Sequence, residues 1–207
     1  TERKAKNPRT GAMIKIPATD ECLPAITQAI AEGIHINVTL IFSRIQASRV
    51  FEACAEGLAR RLAQGHGVSS VRAVASVFVS RLDTHVDAGL PDGHPLRGEL
   101  GLANAKAIYA MWLDRFGGSS FAGLRAAGAH APKCLWASTG VKNPQWRDTR
   151  YVEALIGPDT VNTVPDKTLE AFADHGEAIR TLDIDLDQAL RVTEQAVTQG
   201  LDLDAVG

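Results

Sequence analysis

Short apolar runs alternate with longer amphipathic ones along most of this chain. Met13–Pro17, Ile36–Phe42, Val71–Val79, Lys133–Ala137 and Thr160–Val164 are brief, rich in aliphatic and β-branched residues, and read as strands. Between them the apolar positions recur with helical spacing, from about Asp20 to Glu32, Gln46 to Gln64 and Glu99 to Phe116. Shorter helical stretches cover Ser120–Ala127 and Asp148–Leu155, and two more helices begin near Asp166 and Asp185. Asp20, Asp166 and Asp185 precede helical runs and are placed to cap them, while Gly33, Gly117 and Gly200 stand where such runs end. Gly89, Pro91, Gly93 and Pro95 mark a long connection after the third strand. Strand alternating with helix predicts an α/β fold, a parallel sheet covered by helices.

Side chains two apart share a face of a strand. Lys15 therefore lies with Met13 and Pro17 opposite Ile14 and Ile16, and Asn37 with Thr39 opposite Val38 and Leu40. Ser76 lies with Val74 and Phe78, and Ser138 with Trp136 opposite Leu135 and Ala137. One face is expected to be aliphatic, the other to carry Lys15, Asn37, Thr39, Ser76 and Ser138. Polar groups converging from successive strand ends predict the lumen of a (β/α)8 TIM barrel. A doubly wound open sheet fits less well, because no glycine-rich fingerprint follows any strand. The barrel raises a conflict: it needs eight βα units and about 250 residues, and five strands are legible here.

Composition narrows the class. The chain has 207 residues, 22 basic and 24 acidic side chains, a formal charge of −2 and 45% hydrophobic residues. That describes one domain, 1–207, with a substantial core. It lacks the basic excess of a nucleic-acid protein and the composition of a disordered one. No run approaches the roughly 18 apolar residues of a membrane span. Cys22, Cys54 and Cys134 are odd in number and widely spaced, which predicts free thiols in a reducing cytoplasm. His35 and His85 have no partners at metal-ligand spacing, so no metal is expected.

Lys15 is the most informative residue. Within Met-Ile-Lys-Ile-Pro-Ala-Thr it is either a strand-end lysine whose head reaches solvent or a lysine withdrawn from water. Desolvation favours the neutral amine, a nucleophile that forms Schiff bases with carbonyls. Asn37 and Thr39 are either satisfied polar residues or ligands, Ser76 and Ser138 either pack or bind, and Arg81 is either solvated or a phosphate clamp.

An ordered set of motifs settles on a family. Met13–Thr19, Gly33-Ile-His-Ile-Asn-Val-Thr-Leu-Ile-Phe-Ser43, Ala75-Ser-Val-Phe-Val-Ser-Arg81, Leu102-Ala-Asn-Ala-Lys106, Trp136-Ala-Ser-Thr-Gly-Val-Lys-Asn143 and Asp159-Thr-Val-Asn-Thr-Val-Pro165 follow one another. Together they resemble the transaldolase family, across nearly everything beyond about residue 12. The resemblance implies a class I aldolase-type barrel with Lys15 as Schiff-base lysine, Thr39 holding the water of proton transfer, and Asn37, Ser76, Arg81 and Ser138 on substrate. Lys142 stands for a second phosphate-binding arginine, in a local sequence that differs from the family's. The implied reaction moves a dihydroxyacetone unit from sedoheptulose 7-phosphate to glyceraldehyde 3-phosphate, without cofactor, in the cytoplasm. Its partners are sugar phosphates, neither nucleic acid nor membrane, with a homodimer or a fusion to an isomerase domain as the assembly.

The departures are also informative. Residues 1–12 read as a polar stub, and the family's first three strands, with their catalytic aspartate and glutamate, have no counterpart before Lys15. The family's final helix is not reached at Gly207. Eight units less three gives the five strands counted, so the chain reads as the last five-eighths of a barrel, with little turnover and poor solubility expected of it alone. A fructose-6-phosphate-type aldolase and a non-catalytic phosphosugar-binding fragment remain as alternatives.

Overall fold

The chain is described from a computed structural model, over residues 11–201 and 203. The stub expected at 1–12 lies, up to residue 10, outside the described residues, as do residues 202 and 204–207 at the other end.

Five strands form one parallel sheet: β1 (Ile14–Pro17), β2 (Ile36–Ile41), β3 (Ala73–Phe78), β4 (Lys133–Ala137) and β5 (Thr160–Asn162). Their spatial order is their chain order, β1-β2-β3-β4-β5, with every neighbouring pair parallel. A doubly wound sheet reverses direction at a switch point and carries helices on both faces. Here the order never reverses, and one face is covered. That is the arc of a (β/α) barrel.

The covered face is aliphatic as expected. Ile36, Val38, Ile41, Ala75, Val77, Cys134 and Trp136 have no exposed surface and join the main core. The helices are α1 (Leu23–Ala31), α2 (Arg44–Ala63), α3 (Ser80–Asp87), α4 (Leu100–Gly117), α5 (Ala122–Ala126), α6 (Arg150–Ala154), α7 (Asp166–His175) and α8 (Leu186–Thr198), of which α1, α2, α4 and α6 place buried side chains in that core. The helix α3 was not expected; it occupies the start of what reads in sequence as a long connection. Its eight residues bury only Ser80, Leu82, Asp83 and Val86, too short an apolar pattern to stand out.

The helix caps differ from expectation. Asp20 and Asp166 are the first residues inside their helices rather than caps, and Asp185, which stands at the cap, makes no side-chain capping hydrogen bond. Asp20 instead pairs with Arg49 at 2.6 Å, and Asp185 sits in left-handed backbone at φ 57°. The working cap is Ser43 before α2, which accepts from the Gln46 amide while the Gln46 side chain accepts from the Ser43 amide. This reciprocal box starts α2 at Arg44, earlier than periodicity alone suggests.

Helices α1 and α2 pack closely. A Cβ at Gly57 would lie 2.7 Å from both the Thr27 carbonyl oxygen and the Ile30 Cβ. Gly57→Ala should therefore destabilise the chain by about 1–3 kcal/mol through overpacking, despite alanine's better helix propensity. Urea unfolding checks this; an unchanged or raised midpoint would contradict the close approach.

The three cysteines are free, as the sequence indicated. Cys54 and Cys134 are fully buried, and burial pushes the Cys54 thiol up to about 12. Among the described residues no helix is long and apolar enough to cross a membrane.

Candidate active site

The face of the sheet opposite the helices carries the candidate chemistry. Parallel register places Lys15 beside Asn37 and Pro17 beside Thr39. The Ser76 hydroxyl donates to the Asn37 side-chain oxygen at 2.7 Å, joining β3 to β2 on this face. Lys15, Asn37, Thr39 and Ser76 are thus brought together as the alternation of strand side chains predicts.

Lys15 is exposed rather than withdrawn from water, as is its neighbour Ile14 at 41%. The reason is its strand. Among the described residues β1 pairs with β2 alone, so Lys15 stands on the uncovered face of an edge strand. Thr39 differs: only 6% of it is exposed, and its hydroxyl oxygen is buried without a hydrogen-bond partner among the described residues. A buried hydroxyl without a partner is costly, and such groups concentrate where a ligand or water is used.

The turn that follows Thr39 explains how β2 delivers an aromatic to the same face. Register shifts between Val38 and Ile41, and Leu40 has φ 63°. Two residues, Thr39 and Leu40, thereby oppose Ser76 alone, a bulge. Simple alternation would place Leu40 with Val38 on the covered face; instead Leu40 is 41% exposed. The extra residue returns Ile41 to the core and sends Phe42 to the open face, where its ring lies 5.2 Å from Phe78.

Strand β4 corrects a second expectation. Ser76 pairs with Leu135 and Phe78 with Ala137, so Leu135 and Ala137 share the face of Ser76. They cluster there with Phe42 and Phe78. Trp136, paired with Val77, lies on the helix side. Ser138 therefore does not reach the site by alternation from Trp136. It follows the strand in left-handed backbone, φ 57°, and its hydroxyl lies 2.9 Å from that of Ser80. The Ser80 amide also donates to the Ser138 carbonyl at 2.8 Å, clamping the first residue of α3 to the end of β4.

Arg81 follows directly. Its guanidinium carbon lies 5.0 Å from the centre of the Phe78 ring, at the C-terminal end of β3. Arg81 is exposed and has no ion pair among the described residues, so its donors remain available to an anion. Lys142 is exposed on the loop between β4 and α6.

Two further residues escaped the sequence reading. Asp83 on α3 is 1% exposed and accepts from the Gly101 amide at 2.6 Å and the Tyr151 hydroxyl at 2.7 Å. Burial pushes its carboxyl up to about 6, against those two hydrogen bonds. Asn104, fully buried on α4, donates to the Phe42 carbonyl at 2.8 Å and so fixes the chain just after the bulge. Asn104 belongs to a motif already noted, Leu102–Lys106; Asp83 gave no local signal. Lys106 of that motif donates to the Thr181 and Ile184 carbonyls, tying α4 to the stretch before α8. Among the described residues no three His, Cys, Asp or Glu side chains gather as a metal ion would require.

The arrangement offers an amine, hydroxyl and amide ligands beside it, and a cation at the mouth. Comparison with known proteins identifies the family. Over 195 residues the chain is 47% identical to the transaldolase of Neisseria meningitidis serogroup C, covering 94% of this chain and 55% of that protein. It is 52% identical over 174 residues to the transaldolase of Mycolicibacterium smegmatis, covering 82% of this chain and 47% of that one. For the transaldolase of Thiobacillus denitrificans the identity is 44% over 203 residues, with coverages of 96% and 56%. The chain spans about half the length of these curated relatives. Residues 3–207 match the family described as transaldolase/fructose-6-phosphate aldolase. With parallel strands in chain order and the lysine, amide and hydroxyls standing together on one face, the chain belongs to the transaldolase/fructose-6-phosphate aldolase family.

Proposed function

We propose that this chain carries the Schiff-base half-site of a transaldolase, which moves a dihydroxyacetone unit from sedoheptulose 7-phosphate to glyceraldehyde 3-phosphate. The observation that carries the reading is the register that sets Lys15 beside Asn37, with Ser76 bonded to Asn37 on the same open face. The Lys15 amine adds to the donor ketone, and loss of water leaves an iminium. The iminium accepts the electron pair of the carbon–carbon bond as it breaks, so the retained three-carbon unit is held as an enamine and the aldehyde product departs. That enamine then adds to the acceptor aldehyde, and water returns to release the new ketose. Asn37 and Ser76 hold donor hydroxyls, Thr39 holds the water that shuttles the proton, and Ser138, bonded to Ser80 at the end of β4, is the further substrate ligand. Arg81, with Lys142 as the second cation, takes the phosphate.

The reading brings a cytoplasmic setting and sugar-phosphate partners. A homodimer or a fusion to an isomerase domain is the assembly to test by mass in solution. The reaction itself is tested by mixing both substrates and following fructose 6-phosphate. The family description also names fructose-6-phosphate aldolase. Donor cleavage that proceeds equally well without an acceptor would favour that second reading.

Arg81→Ala isolates the phosphate contact. A charge-assisted pair is worth about 1.5–3 kcal/mol, so binding of fructose 6-phosphate should weaken roughly 10–100-fold. Dihydroxyacetone, which has no phosphate, should bind within about twofold of wild type on the same argument. Equal losses for both ligands would remove the clamp role.

A further inference from the structure

Arg81 is exposed, yet a guanidinium binds a phosphate well only when its fork is held in place. What holds it lies on the back of α3. Residues of a helix turn by about 100° each, so Asp83 points roughly 200° around the axis from Arg81. Arg81 faces the Phe78 ring, and Asp83 faces inward. There the carboxylate receives the Gly101 amide at the start of α4 and the Tyr151 hydroxyl from α6. Gly101 is required for that approach: a Cβ there would lie 2.6 Å from the Val79 carbonyl oxygen and 2.8 Å from the Asp83 carboxylate. Tyr151 is itself 1% exposed and packs edge-on against Trp146, so its hydroxyl is a fixed donor. The front of α3 is held independently, through Ser80 on Ser138. A short helix fixed at its first residue and at one residue on its back has little freedom to rotate.

We propose that Asp83 is a positioning residue for the anion site at Arg81. Its hydrogen bonds from Gly101 and Tyr151 set the rotation of α3, and that rotation holds the Arg81 guanidinium over Phe78 at the mouth of the open face. The proposal rests on the reading of Arg81 as a phosphate ligand.

The test uses the full 207-residue chain. Calorimetric titration with inorganic phosphate reports the anion site, and borohydride trapping of dihydroxyacetone on Lys15 reports the rest of the face. Asp83→Ala should weaken phosphate about tenfold and Tyr151→Phe about threefold, while trapping stays within about twofold. Asp83→Asn should restore phosphate affinity, because its amide oxygen can accept from Gly101 and its NH2 can donate to the Tyr151 oxygen. Should Asp83→Ala fail to fold, Tyr151→Phe decides alone. The proposal is overturned if the folded variants bind phosphate like wild type, or if phosphate binding and trapping fall together, the mark of general structural damage. Phosphate binding that is absent in wild type, or that survives Arg81→Ala, overturns the Arg81 reading and the proposal with it. That result is distinct from Arg81-dependent binding that ignores Asp83.

Discussion

Borohydride added to the chain with dihydroxyacetone or fructose 6-phosphate should fix a covalent adduct on Lys15 and on no other lysine. Reduction of the iminium leaves a secondary amine that survives proteolysis, so peptide mass spectrometry locates it. Lys15→Ala should abolish the adduct and, in any assembly that turns over, lower transfer by about 10⁴-fold or more, as loss of a covalent nucleophile does. Lys15→Arg should rescue neither, since a guanidinium stays protonated and forms no iminium. Adduct formation and turnover are separable here. The five strands contain no aspartate or glutamate, so no carboxylate is carried on the strands of the open face beside Lys15. General acid–base help is typically worth about 10²–10⁴-fold, and transfer by this chain alone should be slower than by full-length relatives by that order. Labelling at a different lysine would displace Lys15 from its role. Transfer as fast as that of the relatives would show that a carboxylate from outside the strands serves.

The second large effect belongs to Asp83 and is read in stability. Asp83→Ala leaves the Tyr151 hydroxyl and the Gly101 amide without their acceptor in a site that is 1% exposed. Truncation there should cost about 2–4 kcal/mol, from unsatisfied donors and the space left behind. Asp83→Asn should behave oppositely, and its effect depends on pH. The folded carboxyl titrates near 6, above its ordinary value of 3.8. A folded value above the unfolded one means that the folded state binds the proton more tightly. The associated stability is fully present below the unfolded value and is lost as pH rises through about 6. Two units of difference correspond to on the order of 3 kcal/mol. Asparagine never ionises, so Asp83→Asn should match wild type near pH 4 and exceed it increasingly up to pH 8. Urea midpoints at the two pH values check this. A wild type that gains stability over Asp83→Asn as pH rises would invert the sign and refute the burial argument.

Whatever depends on near neighbours in the chain was legible from the residues alone. Strand and helix order follows from periodicity, because an apolar stripe repeating at two or near 3.6 residues can be buried in only one kind of element. Lys15, Asn37, Thr39 and Ser76 could be placed on one face because regular strands alternate, and the motifs around them sufficed to identify the family. Where that regularity stops became visible in the folded chain. Leu40 and Ser138 adopt left-handed backbone, which rewrote the facing of Phe42 and separated Ser138 from Trp136. Neither residue is a glycine that would have announced the turn. The facing of β4 was set by its register on β3, a pairing between residues 59 apart in the chain, as in Ser76 with Leu135. Asp83 became legible only through partners 18 and 68 residues away, which a local window never brings together. The exposure of Lys15 was decided in the same way: how far a strand residue is withdrawn from water depends on what pairs with its strand and covers its face, and neither is written in the seven residues around it.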